Sequence, residues 1–181
     1  MKFTQTYLAG AYIVELERQV DERGYFARTF CEREFTELGL ASRFPQCNIS
    51  HNQRAGTLRG MHYDETPSHE SKLVRCVSGA IFDVIVDLRR DSPTRWRWVG
   101  VELTPENGRA LLVPPSFGHG FLSLVDDTDV FYHMGDFYRP SGARGFRYND
   151  PFFSVQWPSP PSVLSDRDRT YPDFDPVGFD V

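Results

Sequence analysis

Cysteine is scarce, with only Cys31, Cys47 and Cys76 among 181 residues. An odd number without CxxC spacing excludes a disulfide framework, and their positions in strand-like runs predict buried, reduced thiols. No stretch reaches the roughly eighteen apolar residues that a membrane helix needs. The first residues also lack the basic, apolar and small-residue blocks of an export signal, so a cytoplasmic location is expected. Basic residues are outnumbered, 20 to 25, giving a formal net charge of −5. Phosphate backbones bind basic surfaces, which argues against nucleic acid as a partner. Histidines number five. Around His62 the alternate strand position is Asp64, the next acidic candidate is Glu70, and His119 offers the second nitrogen. Two histidines fall short of the clustered set that a metal site in a β-barrel requires, so no metal and no cofactor is expected.

What the chain does have is β-pattern. At 40% hydrophobic residues over 181 positions it can bury one full core, so a single domain over 1–181 is expected, with 140–181 as an extension rich in proline and aspartate. Val84, Val86 and Leu88 alternate with Ile85 and Asp87 in a period of two, which marks a strand with two distinct faces. That strand spans 80–88, and further strands are expected over 12–20, 25–30, 47–53, 57–63, 71–78, 96–104, 109–113, 120–125 and 130–138. Phe35 and Leu38 at helical spacing, with Gly39 as a stop, predict a short helix over 32–40. Ser165 is placed to cap a last helical turn over 165–171. Many short strands with so little helix imply an all-β jelly roll whose end can hold a ligand.

Several polar residues do not suit a β-core: Arg59, His62, Lys72, Asp83, His119 and Tyr132. Asp83 stands out because a carboxylate inside an apolar strand is costly to desolvate unless paired, and so it points to a polar pocket within the sheet. Taken singly, each of these residues reads more simply as structural, and Lys72 as outward-facing. Parity adds a condition. His62 shares a strand face with Leu58 and Gly60, whereas Arg59 faces the other way. Both reach one ligand only if the strand is bulged, and Gly60 permits a bulge.

Several runs together resemble one family in order along nearly the whole chain. They are RGYF at 23–26, QCN at 46–48, LRGMHY at 58–63, KLVRCVSGAIFDVIVDLR at 72–89, SPT at 92–94 and FGHGFL at 117–122, continuing through Tyr132, FY at 137–138, NDP at 149–151 and LSDRD at 164–168. The family is the nucleotide-sugar 3,5-epimerases of the dTDP-4-dehydrorhamnose type. The resemblance implies a cupin-like double-stranded jelly roll with one or two short helices. It also implies a homodimer in which N-terminal strands, about 1–50, cross to the partner.

It further implies a chemistry that suits the residues. A ketone at C4 of the sugar acidifies the C–H bonds at C3 and C5, and returning a proton to the opposite face of the enolate inverts the centre. His62 matches the family's base, Asp168 the carboxylate that orients it, and Tyr132 the acid on the far face. Lys72 matches the cation beside the C4 oxygen, where stabilising the developing charge is worth about 3 kcal/mol or more. Arg23, Gln46, Asn48, Arg59 and His119 match residues that hold the diphosphate and sugar, and Tyr138 and Phe26 match aromatics at the base. Two positions depart from the pattern. Arg28 and Ala143 stand where dTDP-sugar members carry glutamates of the nucleotide-binding set, which leaves CDP and GDP sugars as alternatives. Narrower readings are a C3-only or C5-only epimerase or a 3,4-ketoisomerase. In a different class stands a cupin that binds sugar without turnover.

Overall fold

The computed structural model describes residues 1–64, 70–137, 142–177 and 179. Among these, two antiparallel sheets face each other. One runs in the order β1 (Lys2–Gln5), β2 (Tyr12–Glu15), β10 (Arg109–Val113), β7 (Lys72–Ser78), β12 (Thr128–Met134), β5 (Gln46–Asn52). The other runs β13 (Ala143–Gly145), β6 (Leu58–Asp64), β11 (Phe117–Ser123), β8 (Ile81–Asp87), β9 (Trp98–Leu103). A separate hairpin joins β3 (Gln19–Asp21) to β4 (Gly24–Phe26), and two short helices, α1 (Glu32–Glu37) and α2 (Asp166–Thr170), complete the fold. This is the jelly roll that the strand pattern predicts.

Alternation decides what fills the space between the sheets. Val74 and Cys76 of β7 and Val130 of β12 meet Ile81 and Ile85 of β8 and Phe117 and Phe121 of β11, all of them buried. Each such side chain removed from water contributes about 1.5–3 kcal/mol. The outer faces are covered differently. Phe35, the buried residue of α1, packs over Leu73, Ala110 and Leu112 on the larger sheet. The C-terminal segment lays Phe153, Val155 and Phe174 over Met61, Val84 and Val86 on the smaller one.

Several expectations are corrected at the element ends. The strand foreseen over 12–20 splits into β2 and β3, and between them the guanidinium of Arg18 donates to the Pro105 and Glu106 carbonyls. The helix foreseen over 32–40 stops at Glu37. There Gly39, at φ 67°, turns the chain so that its N–H and that of Leu40 return to the Thr36 and Phe35 carbonyls. The edge strands β1 and β13 lack a readable period and were not foreseen. Of the three thiols, all free, only Cys76 is buried; Cys47 is exposed on an outer face and Cys31 is half-buried before α1. No described helix is long and apolar enough to cross a membrane.

Candidate active site

A cavity of about 660 Å³ opens between the sheets, within the size range of small-molecule sites. Its walls come from both sheets. Asn48 of β5, Lys72 of β7 and Tyr132 of β12 stand on the larger sheet; Arg59 and His62 of β6 and His119 of β11 stand on the smaller. Ser165, Arg167 and Asp168 of the C-terminal segment close one side.

A bulge in β6 makes this convergence possible. His119 pairs with His62, yet two residues further Phe121 pairs with Arg59, so β6 carries one residue more than β11 over that span. The extra residue cancels the parity conflict, and Arg59 and His62 both line the cavity. Gly60 sits in the bulge at φ 128°, and a Cβ there would lie 2.5 Å from Gly120 Cα. Only glycine combines that backbone with that approach.

Two buried carboxylates hold the two histidines. His62 Nε2 lies 2.7 Å from Asp168 Oδ1, and the Gly60 N–H donates to Asp168 Oδ2 at 3.3 Å. Asp168 is itself placed by α2, where its N–H donates to the capping hydroxyl of Ser165 at 3.1 Å. Burial alone would raise the Asp168 pKa, but the hydrogen bond and charge of His62, with Gly60 and Ser165, outweigh it and hold the carboxyl below its ordinary value. Across β11, His119 Nε2 lies 2.8 Å from Asp83 Oδ1, and Asp83 is fully buried. The polar pocket foretold by that strand carboxylate is therefore present.

On the facing sheet, the Tyr132 ring stands edge-on to His119 with centroids 6.2 Å apart. Burial pushes its phenol far above the ordinary value, the Asp83 charge pushes further, and Arg59 opposes them. Lys72 points into the cavity, sharing its face with the inward Val74 and Cys76, and its ammonium lies 3.3 Å from Glu70. Arg59 is fixed by donating to Asn52 Oδ1 at 2.9 Å and to the His51 carbonyl at 3.1 Å.

His62, Lys72, Asp168, Tyr132, Asn48, Arg59 and His119 thus gather at one cavity, as the sequence predicts. Arg23, Phe26 and Gln46 do not line it. Arg23 is exposed on the hairpin and paired with Asp21, and Phe26 is 74% exposed. Tyr138 lies outside the described residues. Arg167 was not foreseen; it lines the cavity, donating to the Tyr171 hydroxyl at 2.6 Å and the Ala143 carbonyl at 3.1 Å. Its place beside Asp168 in the LSDRD run was the available signal. Asp83, which the sequence marks only as the sign of a polar pocket, holds the cavity-lining His119.

Comparison with known proteins agrees with this geometry. A sequence model described as dTDP-4-dehydrorhamnose 3,5-epimerase matches residues 5–176. The dTDP-4-dehydrorhamnose 3,5-epimerase of Methanothermobacter thermautotrophicus is 44% identical, over 94% of this chain and 92% of its own. The crystal structure of the enzyme of that name from Bacillus anthracis, with TDP and PPi bound, superposes with a TM-score of 0.91 at 39% identity, covering 96% of this chain and 99% of that one. A 3'-monoepimerase from Streptomyces bikiniensis in complex with dTDP-quinovose is more distant, with a TM-score of 0.85 and 34% identity, over 93% of this chain and 85% of that one. On the sequence match, the shared fold and the cavity between its sheets, the chain belongs to the dTDP-4-dehydrorhamnose 3,5-epimerase family of isomerases.

Proposed function

We propose that this protein inverts C3 and C5 of a dTDP-linked 4-keto-6-deoxyhexose, with His62 as base and Tyr132 as acid. The observation that carries the reading is that these two groups rise from facing sheets, so a sugar ring lying between them meets one on each side. With Nε2 committed to Asp168, His62 has Nδ1 left to take the proton. Asp168 fixes that tautomer and stabilises the imidazolium that abstraction creates. Lys72 answers the negative charge on the C4 oxygen of the enolate, a contribution of about 3 kcal/mol in a water-poor site. Tyr132 then returns a proton to the far face. Its raised pKa keeps it a phenol at neutral pH. Arg59, His119, Asn48 and Arg167 hold the sugar and diphosphate, guanidinium groups being suited to phosphate by their planar donor fork.

The working unit is a homodimer. Val20, Tyr25 and Phe26 on the hairpin and Ile49 and Val77 on the outer face of the larger sheet are all exposed, an apolar surface that a second copy would cover. Arg23 and Phe26, remote from the cavity of their own chain, then serve the cavity of the partner subunit.

The test follows solvent deuterium into dTDP-4-keto-6-deoxyglucose by NMR. Label at both C3 and C5 is expected, whereas label at one carbon selects a monoepimerase and no label leaves a sugar-binding protein. His62→Ala abolishes exchange at both carbons. Tyr132→Phe retains exchange and loses inversion; full epimerisation by that variant refutes the acid assignment.

A further inference from the structure

Among the described residues, Asp83 is a buried charged group directly behind the cavity-lining His119 to which the proposed reaction gives no task. It is fully buried in the middle of β8, flanked in register by Phe121 of β11 and Val101 of β9. One carboxylate oxygen meets His119 Nε2 at 2.8 Å, and the other, Oδ2, is buried without a hydrogen-bond partner among the described residues. A buried charge left half-satisfied is costly to the fold, and such groups concentrate where a site uses them. A leucine or valine would fit the apolar pattern of this strand better.

We propose that Asp83 is a positioning residue for the acid half of the reaction, holding His119 in a fixed tautomer against Tyr132. This rests on the reading of Tyr132 as the acid. The arrangement has three parts. An ionised Asp83 accepts only, so His119 must turn Nε2–H toward it, which leaves Nδ1 as the free ring nitrogen. The His119 ring, immobilised in this way and 7% exposed in its side chain, forms the edge against which the Tyr132 ring stands at 81°. The unshared oxygen of Asp83 leaves part of its charge uncompensated. That charge opposes ionisation of the phenol, so Tyr132 keeps its proton until the strongly basic enolate stands beside it, and the gain from Asp83 comes from ordering His119 rather than from its charge. The second dyad therefore mirrors the first: His119 and His62 are paired partners on adjacent strands, each held by its own buried aspartate. Asp168 orients the group that takes the proton, and Asp83 orders the surroundings of the group that returns one.

The decisive measurement is the partition between exchange and inversion. Abstraction and return by His62 on one face gives deuterium without inversion, whereas delivery by Tyr132 gives the inverted centre. In Asp83→Asn, nearly isosteric and with its folding checked by thermal unfolding, the inverted-to-exchanged ratio at saturating substrate falls about 100-fold, the scale of losing ordered acid catalysis. A ratio equal to wild type overturns the proposal, and so does a parallel loss of exchange and inversion, which a purely structural role would give. Tyr132→Phe in the same assay separates the two claims. If it still inverts, the acid assignment itself fails; if it loses inversion while Asp83→Asn does not, only the role of Asp83 fails. The wild-type protein supplies a readout that needs no variant: ¹⁵N NMR of His119 shows the Nε2–H tautomer, and an Nδ1–H tautomer overturns the proposal.

Discussion

At the scale of single residues, the His62–Asp168 pair joins catalysis to stability. The carboxyl of Asp168 is held below its ordinary value in the fold, and an unfolded aspartate titrates near 3.9. The stabilisation linked to that lowering is therefore complete above about pH 4 and is lost as pH falls through the folded-state value. Asp168→Asn cannot titrate. Its Tm lies below that of wild type at neutral pH, and the gap narrows as pH drops below about 4. Thermal unfolding of both proteins between pH 7 and pH 2 checks this, and a gap that stays constant would exclude the linkage. Turnover at pH 7 falls by about 10²–10⁴-fold in the same variant, since the amide no longer fixes the His62 tautomer. Other residues that carried the family resemblance have a different task. Ser92 and Thr94 of the SPT run, with Arg89, surround the buried Asp87 and donate to its carboxylate, which holds that carboxyl low against the cost of burial. They build the loop after β8 and touch no part of the cavity.

At the scale of elements, the bulge of β6 decides whether a site forms at all. Sequence parity alone puts Arg59 and His62 on opposite faces, and Gly60 was the visible sign that the conflict could be relieved. Adding one methyl group there is a severe test. In Gly60→Ala the new Cβ meets Gly120 Cα at 2.5 Å and the His119 carbonyl at 2.8 Å, on a backbone at φ 128°. The expected cost is about 3 kcal/mol, or roughly 6–12 °C in Tm for a chain of this length, together with loss of epimerase activity as the two strands are forced apart. A folded variant with wild-type turnover would show that the bulge does not align the site. The same comparison shows why strand cores were legible and ends were not. Where side chains alternate between a core and an outer face, as from Ile81 to Asp87, period two appears in the sequence. Where pairing is carried by backbone alone, as in Ala143–Gly145 against β6, no period is written.

At the scale of the molecule, the residues that gather at the cavity and those that lie away from it differ in how legible they were. His62, Lys72, Tyr132 and His119 stood out as polar residues that do not suit a β-core, and the family resemblance gave them roles. Asp168 could be placed only through the family pattern, since it arrives on a helical turn more than a hundred residues after its partner histidine. Arg28, a reversal of charge against that pattern, is spent on Glu34 at 2.9 Å at the surface, where it is remote from the cavity of its own chain. Arg23 and Phe26 are remote in the same way, and a single chain gives an exposed aromatic no task. A second copy does. If the hairpin crosses to the partner, covering Phe26, which is 74% exposed, contributes about 1.5–3 kcal/mol, and a charge at that position opposes association. Phe26→Asp therefore weakens self-association and raises KM with a smaller change in kcat, because binding at the partner subunit's cavity is impaired while His62, Lys72 and Tyr132 remain in place. Sedimentation velocity across a concentration series, run beside steady-state kinetics on the same preparations, reads both effects. A variant that remains a dimer with an unchanged KM would remove Phe26 from the shared site, and a wild-type protein that sediments as a monomer while fully active would remove the dimer.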